Sequence, residues 1–233
     1  MARVIEQFQA FKKELLNNPR LTDRSDRERW VDPDGLEEGV LEMVVEDIQR
    51  DYGVKLAGGD TDYIEFDGSF LMWHVADNEF LYGGFTINGL WESLVVPSQF
   101  WKVDFSLPPD AAVPDELAHF EKLGWFEKQA WGDDERFGCF IREPGTFPPH
   151  IAFFDRNWYV PMELSLEEYF EAMFASCAVK GWQYFYIDIT KDTPHVDAAL
   201  EDMERAVRLL PAIFPQRDFG YHAERLRQVK VRL

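Results

Sequence analysis

Basic residues are scarce in this chain: 24 Lys and Arg stand against 43 Asp and Glu in 233 residues, a formal net charge of −19. A field of that sign repels nucleic acid and anionic membranes and attracts basic partners. Cysteine is scarcer still. Cys139 and Cys177 are the only two, without C-x-x-C spacing, so the sequence carries no thiol metal cluster or dithiol redox motif. Both read as buried, inert thiols, one in the strand-like FGCFI and one on an apolar helix face. Long apolar runs are missing as well, and none approaches the ~18 residues that mark a membrane helix. The opening MARVIEQFQAFKKELL is amphipathic and lacks the apolar core and cleavage site of a secretory signal. The expectation is a cytoplasmic protein.

Catalytic motifs are missing too. The five histidines, His74, His119, His150, His195 and His222, are more than twenty residues apart, with no H-x-x-x-H or H-E pair. The doublets Gly58-Gly59 and Gly83-Gly84 have neither the G-x-G-x-x-G spacing nor the Gly-Lys-Ser/Thr end of a phosphate loop. No serine occupies a G-x-S-x-G elbow. Asp60, Asp62, Glu65 and Asp67 crowd beside a glycine-rich turn but lack the regular spacing of a calcium loop. No catalytic residue, cofactor or metal ligand is assigned.

What the chain has is apolar and aromatic material, 46% and 15% of its residues, enough to fill a core with large rings. The most legible stretch is 164–188. Ser165 and Glu168 have the S-x-x-E spacing of a capping box, with Leu164 and Tyr169 placed for a hydrophobic staple. Leu166, Tyr169, Phe170, Met173, Phe174 and Cys177 then build one apolar helical face. Gly181 is the expected helix stop, and the aromatic run 182–189 the expected strand.

Elsewhere, Val4, Ile5, Phe8, Phe11 and Leu15 mark a first helix ended by Asn17-Asn18-Pro19. Residues 20–35 read as an exposed polar connection and 36–52 as a second helix. From 63 to 96 the chain reads as short strands: YIEFDG, FLMWHV, GGFTINGL and WESLVV. A short helix at 115–123 follows Pro114. A hairpin spans 125–141 with its turn at 132–135, and one more strand covers 151–160. Val196, Leu200, Met203, Val207 and Leu210 line a last helix that Pro211 is expected to stop. The tail beyond it has no clear reading.

Charge is unevenly placed. Residues 31–216 hold 12 Lys/Arg against 36 Asp/Glu, a net of −24, while both ends are slightly basic. Acidic loops are therefore the candidate partner-binding surface, through Asp60, Asp62 and Asp67 in one loop and Asp133, Asp134 and Glu135 in another. Of the tryptophans near loops and strand ends (Trp30, Trp91, Trp101, Trp125 and Trp131), Trp91, Trp101 and Trp131 are the candidate anchors, because tryptophan is enriched at binding hot spots.

The order of elements resembles the SUKH superfamily, which includes cell-wall-assembly regulators and bacterial immunity proteins. The helix at 36–52 runs into Gly53-Val54-Lys55-Leu56. Then come Phe66-Asp67-Gly68 with Trp73, Gly83-Gly84-Phe85, and a late helix carrying Ser165, Glu167, Glu168 and Tyr169, close to the family's S-F-E-E-Y-L. Ala57 replaces the family's proline, Asp67-Gly68 its Asn-Gly, and 151–160 its glycine- and aspartate-rich strand. The likeness covers 36–188.

It implies an α+β fold, a mixed twisted sheet with helices packed against it, with N- and C-terminal helical extensions. The organisation expected is a helix and connection at 1–35, a SUKH-like core at 36–190, and a C-terminal helix and basic tail at 191–233. The implied role is non-enzymatic: neutralising a basic toxin, such as a nuclease, by direct binding. The alternatives are a metal-dependent hydrolase using scattered His, Asp and Glu, and a regulatory scaffold.

Overall fold

The computed structural model describes residues 2–28, 39–56, 68–75, 78–95, 102, 105–108, 111–129 and 135–233. Its centre is a seven-stranded sheet in which space follows sequence. The strands are β1 (Leu21–Glu28), β2 (Ser69–Val75), β3 (Asn78–Ile87), β4 (Leu123–Gln129), β5 (Arg136–Ile141), β6 (His150–Asp155) and β7 (Trp158–Met162). The helices are α1 (Ala2–Asn17), α2 (Val40–Tyr52), α3 (Leu90–Val95), α4 (Leu166–Ala175), α5 (Val196–Ile213) and α6 (Gly220–Arg232), with 3₁₀ segments at Asp115–Phe120 and Trp182–Phe185. The class is α+β with helical ends, as expected. Every named ladder is antiparallel, not mixed, because each strand returns beside its predecessor and no crossover intervenes.

Alternation divides the sheet's contacts into two cores. On one side, Trp73, Phe85, Phe126, Phe140 and Phe153 meet α1, α4, α5, α6 and the 182–185 segment in the main core. Phe8 of α1 and Phe174 of α4 both pack on Phe85, at ring distances of 5.7 and 6.2 Å. On the other side, Cys139, Ile141, Ala152 and Phe154 form a smaller core with Leu123 and Phe120, against which Phe105 and Leu117 pack. At Gly83 the backbone approaches so closely that a Cβ would stand 2.5 Å from the Trp73 ring and 2.6 Å from the Ala178 carbonyl. The loop after α4 uses that space, and Gly84 N–H donates to the Ala178 carbonyl at 2.8 Å.

Several expectations are corrected. Residues 21–28 are not a connection but an edge strand, paired with β2. LTDRSDRE shows no apolar alternation, and charge at a sheet edge discourages further pairing. Residues 91–95 of WESLVV belong to α3, whose buried Leu90, Ser93 and Leu94 are spaced for a helix. The single strand expected at 151–160 is two, turned at Arg156 with φ 59°. The stretch 182–189 is no strand either. Trp182, Gln183, Tyr184 and Phe185 are all buried in a 3₁₀ turn, so no face alternates with solvent.

The helix at 166 ends at Ala175, not at Gly181, with Cys177 and Ala178 at φ 55° and 47°. Gly181, at φ 71°, opens the 3₁₀ turn instead. Pro211 falls inside the last turn of α5, which closes with Phe214 N–H on the Leu210 carbonyl at 2.8 Å.

Candidate functional site

The capping box at Ser165 is formed as its spacing predicts. Glu168 N–H donates to Ser165 Oγ at 3.3 Å, and Ser165 N–H donates to Glu168 Oε2 at 2.8 Å. This fixes the start of α4 and points Tyr169 at the sheet. There β4 carries a bulge between Trp125 and Glu127, which lets consecutive Phe126 and Glu127 both reach α4. Phe126 packs edge-on to the Tyr169 ring at 4.9 Å. Glu127 Oε2 accepts from Tyr169 Oη at 2.9 Å and from Gln183 Nε2 at 3.0 Å, and the Gly138 N–H also donates to the carboxyl. Gly138 is required here because a Cβ would overlap the Tyr169 hydroxyl.

Glu127 is 1% exposed. Burial pushes its pKa up to about 8, against the pull of those hydrogen bonds, so it is largely protonated at pH 7.

A second polar cluster adjoins it. Arg136 Nη1 donates to Asp202 Oδ2 at 2.9 Å, and its Nε lies 3.5 Å from Asp155 Oδ1. Tyr184 Oη donates to Asp155 Oδ2, and the guanidinium sits 5.1 Å from the centre of the Tyr184 ring. Burial works against the Arg136 charge, but Tyr184, Asp155 and Asp202 outweigh it. Arg136 pairs with Asp155 and Asp155 with Trp158 in the ladders, so the cluster occupies one cross-strand rung beside the β4–β5 turn. Gln129 Nε2, Arg136 Nε, Asp155 Oδ1 and Trp158 Nε1 are buried there without a hydrogen bond.

The third cluster is His222, Ser176 and Tyr186, where His222 Nε2 lies 2.9 Å from Ser176 Oγ. Burial lowers the imidazole pKa to about 4, with Asp218 opposing.

None of these three clusters resembles an open active site, since their central side chains are all buried. The other histidines stand apart: His74 half-buried on β2, and His119, His150 and His195 exposed on separate elements. Among the described residues, no three of His, Cys, Asp and Glu group closely enough to hold a metal ion, and no helix is long and apolar enough to cross a membrane. Cys139 and Cys177 are both buried, and burial raises both thiols. A surface groove of about 240 Å³ lies between α2, α3 and the ends of β4 and β5. In it Arg142 donates to the Glu121 carbonyl at 2.8 Å.

Of the sequence-predicted partner residues, Trp91 lies half-buried on α3 and packs on the main core. Glu135 is half-buried, and its carbonyl accepts from Arg156 N–H at 2.8 Å. Asp60, Asp62, Asp67, Trp101, Trp131, Asp133 and Asp134 lie outside the described residues. Trp125 is half-buried against the smaller core.

The basic tail is matched inside the molecule. Arg217 reaches Glu14 at 2.5 Å, Arg227 reaches Glu224 at 2.6 Å, Lys230 reaches Glu204 at 2.5 Å and Arg232 reaches Asp188 at 2.7 Å.

Glu127, Arg136, Asp202 and His222 were not among the residues predicted to matter. The signals are faint: WFE breaks the alternation of β4, as a bulge does, and Asp202 falls on the apolar face of α5 beside Met203 and Ala206. Compared with known proteins, the chain matches no family model, no curated protein and no solved structure.

Proposed function

We propose that this is a non-enzymatic binding protein of the immunity type, which neutralises a basic toxin through its acidic surface. One observation carries the reading: 36 acidic against 12 basic residues over 31–216. The C-terminal cations named above pair with carboxylates of the same chain, among them Asp188 and Glu204, and the summed charge is still −19. Such a field accelerates encounter with a positive surface, and a nuclease presents one to bind nucleic acid. The resemblance to SUKH immunity proteins supports the same role.

Co-expression with the protein encoded by the adjacent gene tests the proposal. Protection from that protein's toxicity, with an association rate that falls steeply as salt rises, is the expected result. Reversing charge at Asp60, Asp62, Asp133 and Asp134 together should abolish protection while leaving the fold intact. Full protection by that variant would rule out the acidic-loop mechanism.

A further inference from the structure

α6 is fastened along its whole length to the segment 182–188. Tyr221 Oη donates to the Phe185 carbonyl at 3.1 Å, Arg225 to the Ile187 carbonyl, and Arg232 meets Asp188 at 2.7 Å. That segment in turn supplies Gln183 to Glu127 and Tyr184 to Asp155. α6 therefore covers the piece of chain that holds the buried polar clusters together.

Among the described residues, its one buried polar fastening is His222. Ser176 Oγ lies 2.7 Å from the Ala172 carbonyl, which takes the hydroxyl hydrogen, so Oγ receives a bond from His222 Nε2–H. That tautomer leaves Nδ1 as a bare lone pair, and Nδ1 is buried without a partner. Around the ring stand Phe185 at 4.8 Å, Tyr221 at 5.6 Å, Phe219 at 5.8 Å and Tyr186 at 6.2 Å. The titratable groups near it are Tyr186 just after the 3₁₀ segment, Asp218 just before α6 and Tyr221 within α6, while the residue that caps α4 is the neutral Ser176. Burial holds the phenol of Tyr186 up at about 12, and Asp218 is the group that favours the imidazolium. A proton on Nδ1 creates a cation and a donor inside an aromatic enclosure, and a buried cation with no paired acceptor is strongly disfavoured.

We infer that α6 is an acid-released cover with His222 as its latch: protonation lifts α6 from 182–188 and frees Asp188 and Glu204 from Arg232 and Lys230. Because the imidazole is held down at about 4 from 6.5, its contribution to closure is complete above pH 6.5 and is lost as pH falls toward 4.

Hydrogen exchange on the full chain, corrected for intrinsic rates, reads this directly. Protection of 220–232 should fall about tenfold for each pH unit below about 6.5, while β5 and β6 keep theirs. His222→Phe fills the enclosure with a ring that does not titrate, and should hold that protection at pH 5. Unchanged wild-type protection between pH 7.5 and 5 overturns the latch, and so does an equal loss in His222→Phe. If that variant does not fold, the wild-type imidazole NMR titration decides. Titration at an ordinary value with α6 still protected refutes the latch, and suppressed titration in step with α6 exchange supports it.

Discussion

Glu127 and the Arg136 cluster show two ways of keeping ionisable groups inside a core. The Glu127 carboxyl has three hydrogen-bond donors and, among the described residues, no cation in contact, so burial raises it to about 8 from 4.5. The sign follows: its contribution to stability is full below pH 4.5 and is lost as pH rises through 8, because the unfolded chain ionises first. Glu127→Gln should therefore gain on the wild type with rising pH, by about 1.4 kcal/mol per unit within that window. Urea denaturation at pH 5, 6.5 and 8 checks it, and a difference that stays constant with pH means the carboxyl is not held neutral.

Arg136 is the opposite case, a buried cation between two carboxylates. Arg136→Met leaves buried Asp155 and Asp202 with only the longer contacts of Arg156 at 3.8 Å and Arg205 at 3.5 Å, and should lower unfolding stability by about 3–5 kcal/mol in the same measurement. A loss below about 1 kcal/mol would show the cluster to be energetically idle.

Elements whose pattern reflects burial on one side were legible. Val4, Phe8, Phe11 and Leu15 are the buried stripe of α1, and the helix period alone placed them there. The capping box at Ser165 was equally readable, because its two hydrogen bonds are local. Ser165→Ala removes the side-chain acceptor of that pair and should cost about 1 kcal/mol in thermal or chemical denaturation, with unchanged helix content. A stabilised Ser165→Ala protein would contradict the cap's role.

The elements that went unread answer to neighbours distant in sequence. β1 is extended because β2 lies beside it, not because LTDRSDRE prefers a strand. The run 182–185 is aromatic yet coiled, since all four side chains must be buried at once between sheet and helices. The candidate site was harder still. Tyr169 meets Glu127 across 42 residues and Arg136 meets Asp202 across 66, and no local spacing encodes either pair.

For the whole molecule, charge is sorted by position: the cations of α6 close on carboxylates nearby, and the acidic surplus is left to the remaining chain. The outer strands complete this picture. One margin of the sheet is β1, seven of whose eight residues, those at 22 to 28, are charged or hydroxylic. The other is β7, where Pro161 withholds a backbone donor. Neither margin invites a guest strand, so recognition by β-augmentation is disfavoured at both ends. A partner is left to engage side chains on loops and helices, where specificity can be rewritten by substitution without disturbing the hydrogen-bonded frame.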